Sequence, residues 1–417
     1  MQKKLIALAV TSLAASSVFA QSNVTIGGWM SIDAKIYKAS DINRAARGNV
    51  QNFHTEYRVD DDTNSRIWFT GKEDLGGGMD AHFYMESRFG ADNGNAATTF
   101  GLANGDTYVG FGTPVGTFDF GRLSTYYVQG ILGEMDSSLS GNSHLTLTTL
   151  STMGTMLVNG YGRNSNNIRY ITPRVSGFQG TLVVSPNFAG DEGKIPTAGA
   201  AVNQNYATGS SWMAAANYMS GPVYLNAAWW QSRAEGRPAT PLFTMLLADQ
   251  EAYRLTGTYT LPFGLKVGLA YDHFKVKNLA AGVTMPVVFF GTGLAHNAVS
   301  SGGSVATNGS ISRNAWILPI NYAFGKNNVF FKYGQAGNIT NWATPAGRPG
   351  GTGAKFYVLG YDYALSRRTS IGLSYSVTNN AGNGMYQPFG AGSTHTGSGL
   401  IAGEKATVMQ ASLTHRF

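Results

Sequence analysis

Cysteine is absent from the chain, which removes disulfide scaffolds, thiolate zinc sites and cysteine nucleophiles. Charge is scarce as well: Asp, Glu, Lys and Arg make up 13% of the 417 residues, near half of the ~25% usual in soluble proteins. Beyond residue 20 there is no apolar run of the ~18 residues that a membrane-spanning helix requires. A helical membrane bundle is therefore excluded. The chain has no Lys/Arg-rich block, and its formal excess of +7 is mild, so nucleic acid is not an expected partner. The histidines His54, His82, His144, His273, His296, His395 and His415 are scattered, with no HExxH and no i, i+4 pair. Neither metal ligands nor a GxSxG nucleophile elbow can be assembled, so no catalytic residue, metal or cofactor is expected.

Glycine is abundant, with 54 residues, roughly twice the typical ~7% share. Aromatic residues reach 12%, mostly 21 tyrosines and 22 phenylalanines, while mean hydropathy is −0.11. The chain is too rich in rings and apolar residues for a disordered polymer.

The first twenty residues read as a secretory leader. Lys3 and Lys4 form a positive start, residues 5–18 an apolar stretch, and Val18-Phe19-Ala20 a small-x-small cleavage pattern, so processing is expected between Ala20 and Gln21. The apolar stretch is shorter than the ~20 residues that span a bilayer. Residues 21–417 are then one exported domain, and loss of two lysines lowers the formal charge to +5.

From Asn23 onward apolar and polar residues alternate. Val24, Ile26, Met30, Ile32, Ala34 and Ile36 lie between Thr25, Trp29, Ser31, Asp33, Lys35 and Tyr37. Side chains on a strand point to opposite faces in turn, so this spacing gives one oily and one polar face. The pattern returns at Met79–Phe89, Leu265–Tyr271, Val329–Tyr333, Ile371–Val377 and Met409–Phe417. Short spacers lie at 75–78, 113–116, 174–177, 219–222, 261–264, 324–327 and 364–368, and all but the last carry Gly, Pro or Asn suited to tight turns. They take turns with long ones near 38–64, 90–105, 123–162, 187–210, 234–250, 276–312, 338–353 and 379–403. Seven turns and eight loops imply about sixteen strands.

Alternating short and long connections are expected where each hairpin crosses a membrane. In lipid an open sheet edge leaves backbone groups unsatisfied, so the sheet must close. The expected fold is an all-β, transmembrane antiparallel barrel with short periplasmic turns and long external loops. Sixteen strands enclose an aqueous lumen, with oily residues outside, polar residues inside and no large apolar core. Trp229, Trp230, Tyr322, Tyr361 and Tyr363, near strand ends, are expected in interfacial aromatic girdles.

Specific segments carry a resemblance. SRIWFTGKEDLGGG at 65–78, MDAHFYMESRF at 79–89, YVGFGTPVGTFDFGR at 108–122, NNIRYITPRVSGFQG at 166–180, YDYALSRRTSIGLSYS at 361–376 and the closing LTHRF run in order along the chain. Together they resemble the general porins of Gram-negative outer membranes, especially the neisserial and β-proteobacterial branch. That resemblance implies a homotrimer of sixteen-stranded barrels in the bacterial outer membrane, with the third external loop folded into each pore. It also implies contact with outer-membrane lipid and lipopolysaccharide, and with the barrel assembly machinery, for which Phe417 is the assembly signal. The third loop here, about 123–162, lacks the family's acidic Pro-Glu-Phe-Gly type of tip; its acids are Glu134 and Asp136.

Parity places Lys35, Arg66, Lys72, Arg88, Arg169, Arg254, Lys266 and Lys332 on the polar face, with Asp33, Asp74, Asp80, Glu86, Asp119 and Asp272. Basic walls opposite Glu134 and Asp136 would set up a transverse field at the constriction. The candidate pore-lining residues are Lys35, Arg66, Arg88, Arg122, Arg169, Glu134 and Asp136. Arg122 shares parity with Phe118 and Phe120, which would aim it into lipid at ~2–4 kcal/mol near the midplane; the resemblance aims it inward. A bulge at Gly121, or an end to the strand there, reconciles the two.

The expected function is passive diffusion of small hydrophilic solutes and ions, with a weak preference for anions. The alternative is a substrate-specific channel for sugars or aromatic and organic acids. An outer-membrane enzyme or an adhesin fits the motifs less well. The apolar runs at 241–248 and 285–290 leave three readings open, folding into the mouth, contact with a neighbouring subunit or packing within their own loop, the last being the default.

Overall fold

The computed structural model describes residues 23–40, 55–61, 65–92, 102–131, 135, 163–186, 208–235, 249–279, 281–282, 304–344, 350–384, 386 and 403–417. Ala20, Gln21, Glu134, Asp136 and both apolar loop runs lie outside the described residues. Within them the strands are β1 (Asn23–Ser40), β2 (Thr55–Asp60), β3 (Arg66–Gly76), β4 (Met79–Arg88), β5 (Thr107–Thr113), β6 (Gly116–Ser124), β7 (Arg163–Ile171), β8 (Phe178–Ser185), β9 (Thr208–Ser220) and β10 (Val223–Glu235). They continue with β11 (Gln250–Thr260), β12 (Leu265–Leu279), β13 (Ser304–Val305), β14 (Gly309–Phe324), β15 (Asn327–Ala336), β16 (Trp342–Ala343), β17 (Ala354–Ala364), β18 (Thr369–Asn380) and β19 (Lys405–Arg416).

The short β13 and β16 pair only with each other; around the main sheet neighbouring strands pair antiparallel, with β12 against β14 and β15 against β17, and β1 closes the sheet on β19 from Trp29↔Arg416 to Ser40↔Lys405. The other edge of β1 is shared: β3 pairs with Asn23–Trp29 and β2 with Asp33–Lys38. Because β2 and β3 occupy one position, the 17-stranded sheet is a closed barrel of sixteen places. Side chains bridge the break between them. The Asp61 carboxylate accepts the Ser65 and Ala91 N–H groups, each at 3.0 Å, and the Ser65 hydroxyl accepts the Ser31 N–H at 2.9 Å. A backbone donor that lost its ladder partner is thereby satisfied. The loop expected over 38–64 thus contains a strand segment.

Burial runs opposite to that of a water-soluble protein. Val24, Ile26, Leu269 and Leu373 are more than half exposed, whereas Asp33, Asp272 and Lys332 are fully buried. Polar residues inside and oily ones outside make sense only if the outer solvent is hydrocarbon. Strands of 11 residues such as β11 and β17, rising ~3.3 Å per residue and tilted ~40°, span about 25–30 Å, the height of an outer-membrane apolar band. Lys277 and Glu251 on the outer face pair with each other at the loop ends of β12 and β11, where the penalty for charge falls toward ~0–1 kcal/mol.

Two expectations need correction. Trp229 is 41% exposed and faces outward, but Trp230 is fully buried and donates its indole N–H to Ser211 Oγ at 2.9 Å. Neighbours on one strand cannot both join a girdle. The interior also has an apolar core: Met213, Trp230, Phe274, Ile311, Phe330 and Phe356 cluster with Tyr126 and Tyr386 from external loops. Loop segments that enter the barrel offset the entropy of ordering them in part by burying apolar surface against its wall. Gly360 makes room for this core, since a Cβ there would sit 2.0 Å from the Phe330 ring.

Candidate functional site: the charged lumen

Inward positions of β3 to β7 carry a dense set of ion pairs. Arg66 and Arg88 are cross-strand partners on β3 and β4, and both reach the Glu86 carboxylate, Arg66 Nη1 at 3.4 Å and Arg88 Nε at 2.5 Å. Arg169 on β7 meets Asp119 on β6 at 2.7 Å. The His82 ring lies between two carboxylates, Nδ1 at 2.9 Å from Asp80 and Nε2 at 2.8 Å from Asp119. Lys72 pairs with Asp80 at 2.9 Å toward the turn end of the hairpin. Gly110 on β5 opens space for these groups, because a Cβ there would lie 2.4 Å from Asp119 and 2.5 Å from His82.

Just before β5, Asp106 accepts the Ser124 hydroxyl at 2.6 Å and pairs with Arg163. Burial pushes its carboxyl up, yet Arg163 and the Ser124 hydroxyl outweigh that and hold it below the ordinary carboxylate range. Neither Asp106 nor Arg163 carries an alternation signal, which is why the sequence reading passed over both.

Where β6 ends, the chain turns into the barrel. Tyr126–Val128 forms a single 3₁₀ turn, and the Tyr126 hydroxyl donates to Asp272 Oδ2 on β12 at 2.9 Å. Arg254 on β11 donates to the same oxygen at 2.8 Å and to the carbonyls of Tyr126 and Gln129, each at 3.2 Å. Its guanidinium lies 4.7 Å from the Tyr126 ring centroid. Burial, then the Asp272 carboxylate, push the Tyr126 phenol well above its ordinary value, so it serves as a donor. Ile131 and Met135 continue this path against Ala270 and Ile317. The described start of the third loop therefore crosses the lumen to β11, β12 and β14. Nearby, Arg313 on β14 bonds to the Tyr386 hydroxyl and lies 5.4 Å from the Phe274 ring, tying the start of the last loop to the same wall.

The sequence-derived candidates divide accordingly. Arg66, Arg88 and Arg169 come together on the β3–β7 wall. Lys35 faces inward but is buried, 3.8 Å from Asp33 and 3.7 Å from Asp60, which makes it part of the wall's framework. Arg122 is half-buried beside Gly121, whose φ is +146°. Register shifts there, two residues of β6 facing three of β7, with Asn166 at φ +57° absorbing the extra one. The extra residue thus belongs to β7 and not, as expected, to β6 at Gly121, and β6 keeps its alternation through Asp119, Gly121 and the buried Leu123. Phe417 is 44% exposed on the outer face, and its N–H and C=O pair with Gly28 at 3.1 and 3.2 Å, stitching the terminus into β1.

The sequence profile of the Gram-negative porins matches residues 7–383. An outer membrane porin of Bordetella pertussis is 26% identical over 390 residues, covering 89% of this chain and 92% of its own. Among solved structures, an anion-selective porin from Comamonas acidovorans superposes with a TM-score of 0.63 at 18% identity, covering 95% of this chain and 100% of its own. The trimer form of OmpT, an outer membrane protein of Vibrio cholerae, superposes with a TM-score of 0.53 at 12% identity, covering 95% and 99%.

Proposed function

Since the chain belongs to the Gram-negative porin family, and is a general diffusion channel of the outer membrane, we propose that its lumen passes small anions slightly more readily than cations. The observation that carries this is the Arg66–Glu86–Arg88 group, in which two guanidinium groups lean on one carboxylate at an inward position. A low-dielectric wall focuses such a charge onto passing ions. The Comamonas porin, whose barrel this one resembles, is described as anion-selective.

The relatives are channels rather than enzymes. The working unit in this reading is a homotrimer, matured by removal of residues 1–20 and inserted by the barrel assembly machinery through Phe417. Lipopolysaccharide phosphates would meet Lys355 and Lys405, which share one outward row through Asn379 at the loop ends of β17 and β19. Reversal potential in a KCl gradient, measured on purified protein in planar bilayers, tests the selectivity. The expected sign is chloride over potassium; potassium over chloride overturns it.

A further inference from the structure

Four aromatic rings occupy inward positions on adjoining strands: Trp29, Trp68, Tyr84 and Tyr108. Their side is set by register. Trp29 is the cross-strand partner of Arg66, Trp68 of Gly27 and Glu86, and Tyr84 of Thr70 and Tyr108, and Arg66 and Glu86 are buried while Ile26 and Met30 of the opposite parity face out. From Trp29 to Trp68 to Tyr84, each step moves one strand across and two residues along, so the rings rise as a staircase about 16 Å long. Trp29 and Trp68 meet edge to face at 5.6 Å, and Tyr84 stacks with Tyr108 at 5.6 Å. Gly27 lets the Trp68 indole rest against β1, because a Cβ there would lie 2.6 Å from its Nε1.

Positive charge is interleaved with these rings. The Arg66 guanidinium carbon lies 4.0 Å from the Trp29 ring centroid and that of Arg169 5.1 Å from the Tyr108 centroid. Arg88 spends its Nε on Glu86 and, among the described residues, its two terminal nitrogens make no hydrogen bond. All four rings and Arg88 are half-buried, so each keeps a face toward the lumen.

Small polar side chains would serve free diffusion as well as large rings held in water, which give up apolar surface to no purpose until something covers them. A planar anion does so, and offers a carboxylate to the fork of a guanidinium. We propose that this wall is a binding track for aromatic carboxylates, the ligand ring stacking along Trp68 and Tyr84 and its carboxylate engaging the terminal nitrogens of Arg88. A neutral sugar would use the rings and leave Arg88 idle; a saturated carboxylate would use Arg88 and leave the rings wet. The track rests on the anion-preferring reading of the same lumen and adds a stacking requirement that charge alone does not supply.

The experiment compares benzoate with cyclohexanecarboxylate, equal in charge and close in size, as blockers of KCl current through the purified native protein in planar bilayers. Benzoate is expected to reduce the current saturably, with half-block at about tenfold lower concentration than the saturated acid. Trp68→Leu and Tyr84→Leu should each raise the half-blocking benzoate concentration about fivefold, while Arg88→Gln should weaken both acids together. Equal potency of the two acids on the native protein overturns the track without recourse to any variant, as does undiminished block in both leucine variants. A channel that prefers chloride yet ignores benzoate overturns the track and leaves the selectivity reading standing. One that prefers potassium yet is blocked by benzoate supports the track and overturns the selectivity reading.

Discussion

Arg88 on β4 and Arg254 on β11 are both inward-pointing arginines paired with a carboxylate across one strand or along their own, yet they do different work. The Arg88 side chain is 17% exposed and uses one nitrogen on Glu86. Arg254 has no exposure, and it holds Asp272 together with two carbonyls of the inward-turning loop. The β3–β7 wall thus presents charge to the lumen, whereas the β11–β14 wall consumes it in anchoring Tyr126 and Tyr386. Counting cations along the strands treats the two alike. Residual exposure and the identity of the partner tell them apart, because an ion passing through the pore feels a charge only where water and solute can approach it.

The contrast can be broken most forcefully at Arg254. Arg254→Ala leaves the Asp272 carboxylate buried without its cation, a loss of ~3–5 kcal/mol, and should lower the thermal unfolding temperature of the detergent-solubilised protein and widen the conductance as the loop start detaches. An unchanged melting temperature and conductance would place Arg254 with the solvated charges instead. Arg88→Gln is the complementary change: stability should move by less than about 1 kcal/mol, as expected for a partly exposed pair, while the chloride-to-potassium permeability ratio falls. A large stability loss with no shift in reversal potential would reverse the assignment.

Asp106 gives the smallest effect and sharpens the boundary between the walls. Its folded carboxyl lies below the ordinary range because Arg163 and Ser124 outweigh burial, so its ionised form adds stability at neutral pH. That contribution is lost as pH falls through the lowered folded value. Asp106→Asn should therefore melt below wild type near neutrality, with the gap closing in acid below about pH 3–4. A gap independent of pH would mean that the Arg163 pair contributes nothing through charge.

Most of the barrel was legible residue by residue. Period-two alternation set the faces of Asp33, Lys35, Glu86 and Arg88, and Gly- or Pro-containing spacers marked every tight turn but the last, Ala364-Leu365-Ser366-Arg367-Arg368. The same rule, applied strictly, would have turned Trp230 away from the girdle, since Trp229 beside it faces lipid. Tyr126, Tyr386, Asp106 and Arg163 were out of reach: all but Arg163 lie outside the strands, and Arg163 opens β7 on the far side of the register shift at Gly121. Alternation has nothing to say where the chain stops alternating.

Local chemistry in the chain was enough to dictate a closed sheet with an oily exterior and a wet interior, because a strand's two faces are written in consecutive letters and lipid forbids an unpaired edge. Partnership was decided only in three dimensions. Tyr126 meets Asp272 across 146 residues, and whether an inward arginine conducts, anchors a loop or lies against a tryptophan depends on which distant strand the closed barrel sets beside it.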